Sequence, residues 1–243
     1  VEQLLGDLAG DLASAKPGDQ VGTATDTLSW HPVWPEKTPP DKIQQFAIEQ
    51  RTMAFEQTWP DMPQATFDGA SAREIVESER GRVQVMAAIL LMESNLQAAD
   101  HRIDLDSLRQ NLGLALPGPI DPTSIDMAVF PDVRFCRLVT EKMSLEQLSI
   151  VFRRSGILGN ARGIIITARE IISREDKPKG INLAEVYGVL VEAVESNSER
   201  LELLEKARQA ATDQGQSPAI WLLRELPLQL VEGNSTRAGE IIQ

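Results

Sequence analysis

Few residues in this chain are of a type and spacing that chemistry demands. Its two histidines, His31 and His101, stand far apart and neither lies in an HExxH context, so the sequence offers no metal pair on one helical face. "GILGNARG", Gly156 to Gly163, sets glycines ahead of a helix as a phosphate cradle would. It lacks the Lys-Ser/Thr of a P-loop and the Rossmann spacing, and it reads as a turn between helices. "DHRIDLD", Asp100 to Asp106, gathers acids but not the glycine and spaced carboxylates of an EF-hand loop, and reads as a solvated helix start. Cys136 is the one cysteine; it forms no internal disulfide or cysteine zinc cluster, and no placed base is identifiable that would make it a nucleophile. Trp30, Trp34 and Trp59 are flanked by prolines and read as packing anchors rather than an aromatic cage. With no convergent titratable cluster, the expectation is a chain that is not an enzyme, with no cofactor and no metal site.

If chemistry does not explain the chain, its elements must. The 243 residues are 42% hydrophobic and only 5% aromatic, rich in Leu, Ile, Val and Ala, with long stretches between turn signals: an all-α composition. The net charge of -12 opposes nucleic acid and anionic membranes as partners. Arg134, Arg137, Arg153 and Arg154 are the one local basic cluster and read as a solvated face. No apolar run is long enough for a membrane span, and the single cysteine fits a cytoplasmic protein. Neither an initiator Met nor a basic n-region opens the chain, and "RAGEIIQ" ends it without a cap, so it reads as a segment of something longer.

The organisation predicted is an irregular helical module over 1–116, a Pro/Gly linker over 117–130, and helix hairpins over 131–243. In the first part, a leucine-spaced helix opens the chain, Thr38 caps a helix to about Glu56, and Ser71 with Glu74 has capping-box spacing. A longer helix from Glu79 is expected to bury Val83, Met86, Ala87, Leu90 and Leu91. In the last part, helices are predicted over 132–142, from the capping box Ser144/Gln147 to Arg154 with "SGILG" as a turn, and over 160–174, 183–195, 198–213 and 219–231, before a short final helix.

Two heptapeptides tie the last helices together. "VESNSER", Val194 to Arg200, and "VEGNSTR", Val231 to Arg237, agree at five of seven positions, and the same offset sets Val186 on Leu223 and Val189 on Leu226. Both segments then fall in the turns inside consecutive helical hairpins.

This tail resembles tetratricopeptide repeats, with Gly233, Asn234 and Ala238 matching the turn and second helix, and with departures at Ser196, Leu201 and Pro227. The resemblance implies an α-solenoid whose first helices line a peptide-binding groove. By that implication Tyr187, Glu192, Arg224 and Gln229, equivalent in pairs across the two repeats, are the partner-binding residues. Upstream, Trp59, Asp61, Pro63, Gly69, Arg73, Glu74 and Arg82 resemble a cassette of uncharacterised bacterial helical proteins, some with SEC-C metal motifs and some related to MbcA/ParS-type antitoxins; the metal motif is absent here. The function expected is a scaffold that binds a peptide or protein, the alternative being a regulatory or accessory domain whose active or DNA-binding part lies outside this chain.

Overall fold

The computed structural model describes residues 40–95 and 103–242. Trp30, Trp34, His31, His101 and the leucine-spaced opening lie outside them. The described residues are helical, with no strand among them. They divide into two compact units, one formed by the chain up to Met86 together with Asn111–Leu114, the other by the remainder.

In the first unit, α1 (Pro40–Met53) continues through a π-helical turn, Ala54–Thr58, into a 3-10 turn, Trp59–Asp61. Trp59 is fully buried and meets Phe67 edge to face, with ring centres 6.2 Å apart. The cassette residues fix the loop that follows. Arg73 bonds Asp61 at 2.7 Å, and Gly69 takes a left-handed φ of 84°. Ser71 and Glu74 form the reciprocal capping box that opens α2 (Ala72–Ile75).

Helix α3 (Glu79–Asn95) starts beside α2, and only glycine fits at position 81, where a Cβ would sit 1.8 Å from the Ile75 carbonyl oxygen. Its buried face is Val85, Ile89 and Met92, not the expected stripe: Val83 is 67% exposed and Leu91 56%. "VQVMAAILLM" is apolar on every side, so spacing alone does not choose the face.

The second unit carries two corrections to the expected boundaries. Residues 132–142 are two 3-10 turns, Asp132–Arg137 and Thr140–Lys142, rather than one helix. They part at Leu138, where the extended backbone pairs with Ile120 in an isolated parallel bridge. Residues 117–130 are a packed part of this unit rather than a free linker. Met127 is buried, Gln147 donates to the carbonyls of Pro122 and Ile125, and Arg154 donates to those of Met127 and Phe130.

From Ser144 onward, helices alternate with short turns. They are α5 (Leu145–Leu158), α6 (Ala161–Ser173), α7 (Leu183–Ala193), α8 (Asn197–Asp213), α9 (Ala219–Val231) and α10 (Ser235–Ile242), and each packs on the next. The Ser144/Gln147 capping box forms. "SGILG" is not a turn: α5 runs through it and stops at Gly159, whose φ of 70° is the left-handed C-cap. Asn160 then caps α6, accepting from the Gly163 N–H at 2.8 Å, and Gly163 lets the two helices close, since a Cβ there would lie 2.7 Å from Ser155 Oγ. Helix α9 is continuous through Pro227, which is exposed, so water can take the Leu223 carbonyl that loses its N–H partner. The core of this series is apolar, built on Phe135, Leu148, Val151, Ile165, Ile171, Val186, Leu190 and Leu204.

A buried ion-pair network ties α3 to later elements of this unit. Glu93, 1% exposed at its side chain, accepts from Arg109 at 2.7 Å on one oxygen and from Arg137 at 3.0 Å and Arg162 at 2.6 Å on the other. Asp106 shares two of these arginines, at 2.7 Å from each. Arg109 lies on α4 (Leu105–Asn111) and is fully buried. The hydrogen bond from Arg137 is the main reason that the Asp106 carboxyl sits below the usual carboxylate range, and Asp106 in turn raises Arg137. Beside this network, burial and then the Glu93 charge push the Cys136 thiol up to about 11. Thiolate is then scarce at neutral pH. Iodoacetamide at pH 7.5 is expected to label Cys136 roughly a hundredfold more slowly than an exposed thiol of pKa about 8.5. Mass spectrometry of the intact chain over time checks this, and labelling at the exposed-thiol rate would contradict it.

Candidate functional site

The turns carrying "VESNSER" and "VEGNSTR" sit side by side. The first joins α7 to α8, with Ser196 as N-cap; the second joins α9 to α10, with Gly233 at a left-handed φ of 74° and Asn234 accepting from the Arg237 N–H. Asn197 of one donates to Glu232 of the other at 2.8 Å. At the opposite end of the same helices, Asn182 donates to Gln216 at 3.1 Å and Gln214 to the Ile181 carbonyl at 3.3 Å. Neighbouring turns are thus bonded to each other at both ends of these helices.

Between those ends lies a groove of about 630 Å³. Apart from Ile164 on α6, its lining comes wholly from α5, α7 and α9, the first helices of successive pairs. The floor is apolar: Phe152 and Ile157 from α5, Ile164, Val189 from α7, and Trp221 from α9. Ile157 is 83% exposed there, the most exposed large hydrophobic side chain among the described residues.

Trp221 holds its place because α7 carries glycine opposite it. A Cβ at Gly188 would lie 2.6 Å from the indole ring. Arg224, one turn along α9, stacks on the indole with its guanidinium carbon 5.4 Å from the ring centre, donates to the Gly188 carbonyl at 3.3 Å, and pairs with Glu192. Gly188→Ala is expected to displace the indole and lower stability by about 1–3 kcal/mol. The check is the Trp221 side-chain resonance and the urea midpoint; an unshifted indole signal would contradict the seat described.

Of the four residues expected to bind a partner, the structure brings Arg224 and Glu192 together on the groove wall. Tyr187 is not among the groove residues; it is partly buried and packs against the core. Gln229 is buried and donates to Glu225 at 3.0 Å. Glu225 also receives Arg237 of α10 at 2.9 Å; burial works to raise its carboxyl, but those bonds outweigh it and hold it low. Gln229 therefore serves the seam between α9 and α10, so equivalence in sequence did not carry over to equivalence of exposure.

Sequence reasoning missed Phe152, Ile157, Ile164, Gly188 and Trp221. Ile157 had a usable signal, since extending α5 to Gly159 places it four residues after Arg153, which also lines the groove. Of the four arginines read as a solvated face, Arg134 is exposed, whereas Arg137 joins the buried network, Arg153 bonds the Gly180 carbonyl, and Arg154 turns to Met127, Phe130 and the Phe135 ring. Among the described residues no group of acidic, histidine or cysteine side chains is placed to hold a metal ion, and no helix is long and apolar enough to cross a membrane. No protein-family model, curated protein or solved structure is detectably similar to the chain.

Proposed function

We propose that this chain is a non-enzymatic helical-repeat module, similar in plan to tetratricopeptide repeats, whose groove takes one amphipathic helix of a partner protein. The observation that carries this reading is the apolar groove across α5, α7 and α9 with Ile157 standing exposed in it. Burying such a surface is the dominant source of affinity between proteins, and a few apolar anchors carry most of it.

The chemistry of the lining selects the occupant. Its walls are helices whose main-chain groups are bonded within the helix, so the groove presents no sheet edge to an extended peptide. A helical ligand satisfies its own backbone and needs only side-chain contact. The wall charges already have partners: Arg224 with Glu192, Arg153 with the Gly180 carbonyl, and Glu185 with Asn182. Affinity then comes from apolar contact, while the net charge of -12 favours the approach of a helix with a basic outer face.

The test is selection from a displayed library of randomised helical peptides, counter-selected on the Ile157→Glu variant. The reading expects enriched sequences with apolar residues at i, i+3 or i+4, and i+7, and bases on the flanks. Sequences enriched equally on the variant would refute it.

A further inference from the structure

Glycine is the weakest helix former after proline, so a glycine inside a helix calls for a reason. Gly81, Gly163 and Gly188 have one, since a Cβ at each would strike a neighbour at 1.8, 2.7 and 2.6 Å. Gly156 of α5 and Gly239 of α10 have none within the fold. A Cβ at Gly156 would meet only the Ile164 δ-methyl, at an ordinary 3.5 Å, and one at Gly239 would meet nothing within 4 Å. Of these two, only Gly156 lines the groove.

Phe152 lies one turn before Gly156 on α5, and Ile164 of α6 flanks it. Arg153, three residues back on the same helix, also lines the groove and is held by its 2.8 Å bond to the Gly180 carbonyl. The same parts recur where α7 meets α9. There the Trp221 ring lies against Gly188, and the Arg224 guanidinium stands over the ring, 5.4 Å from its centre. On α5 the bare backbone of Gly156 stands exposed beside a fixed cation.

Resting on the groove reading above, we propose that Gly156 determines which helix is accepted: the partner lays an aromatic ring on the bare backbone of α5, its face toward the Arg153 guanidinium. A flat ring gains most where no Cβ stands and where a cation meets its face. A leucine or isoleucine anchor gains nothing from the cation, and a partner glycine or alanine buries too little area to serve as an anchor. Glycine at this position then trades helix stability for binding.

The probes are the displayed helical peptides that bind the wild-type chain and not Ile157→Glu, measured by isothermal titration on wild type, Gly156→Ala and Gly239→Ala. The expected peptides carry Phe, Tyr or Trp at one fixed anchor position. Gly156→Ala should raise the thermal midpoint by about 1–4 °C, as loss of a helical glycine does, yet weaken these peptides about tenfold or more, because its methyl lifts the ring. Gly239→Ala should leave affinity within about twofold. With the peptide's aromatic residue changed to alanine, wild type and Gly156→Ala should bind within about twofold of each other. Peptides without a fixed aromatic position, affinity for Gly156→Ala within about twofold of wild type, or an equal loss for the alanine-substituted peptides would each overturn the inference while the groove reading stands. If no peptide distinguishes wild type from Ile157→Glu, the groove reading falls and this inference with it.

Discussion

Glu93→Ala is expected to be the most destabilising single substitution among those considered, costing about 3–5 kcal/mol, because it strips a buried charge from partners that stay buried. Arg109, with no exposed side-chain surface, would keep only its bond to Asp106, and Arg137 and Arg162 would each lose a bond of 3.0 Å or less. For a domain of this size the thermal midpoint should fall by roughly 10 °C. The paired replacement Glu93→Leu with Arg109→Leu removes both charges together and is expected to cost less than Glu93→Ala alone, since apolar side chains of similar bulk tolerate burial. A double variant less stable than the single one would mean that the network contributes net stability rather than merely being costly to break.

The same network sets a pH window. Asp106 has its carboxyl depressed in the folded chain, chiefly by Arg137. Its contribution is therefore present above the unfolded value of about 3.9 and is lost as pH falls through the lower folded value. Asp106→Asn should flatten the acid limb of stability below about pH 4, as measured by denaturant midpoints, and leave its shape above about pH 5 unchanged.

Ile157→Glu carries the largest expected effect on binding. The side chain is 83% exposed, so the substitution should leave the thermal midpoint within about 1 °C. In the groove it sets a carboxylate against the partner's apolar stripe, and affinity should fall at least about thirtyfold, the scale of a binding hot spot. Trp221→Ala should lose as much affinity, but it also weakens the fold, because the indole is buried against Gly188 and under Arg224. Tyr187→Ala, which does not touch the groove, should leave affinity within about threefold. Isothermal titration with an enriched peptide measures all three, and a Tyr187 effect larger than that of Ile157 would place the partner elsewhere.

What was legible in the sequence was mostly local. The two capping boxes and the starts of α6, α7 and α8 depend on side chains, those of Ser71, Ser144, Asn160, Asn182 and Ser196, reaching backbone up to three residues on, and those bonds are written in short spacings. What was not legible depends on distant partners. Glu93 meets arginines 16, 44 and 69 positions away, and no local rhythm announces that. The backbone at Leu138 leaves helical geometry where Ile120, far upstream, donates to the Arg137 carbonyl and accepts from the Val139 N–H. The candidate site divides in the same way. Arg224 and Glu192 were found through the repeat offset, whereas Gly188 matters only because Trp221, 33 positions on, needs the space that a Cβ would take.

The groove itself is tested most directly by methyl NMR on isoleucine-labelled chain bound to an enriched helical peptide. The account predicts intermolecular contacts from the peptide's apolar side chains to the δ-methyls of Ile157 and Ile164, lost in Ile157→Glu. Contacts confined to other isoleucines, with these two methyls unmoved, would contradict it.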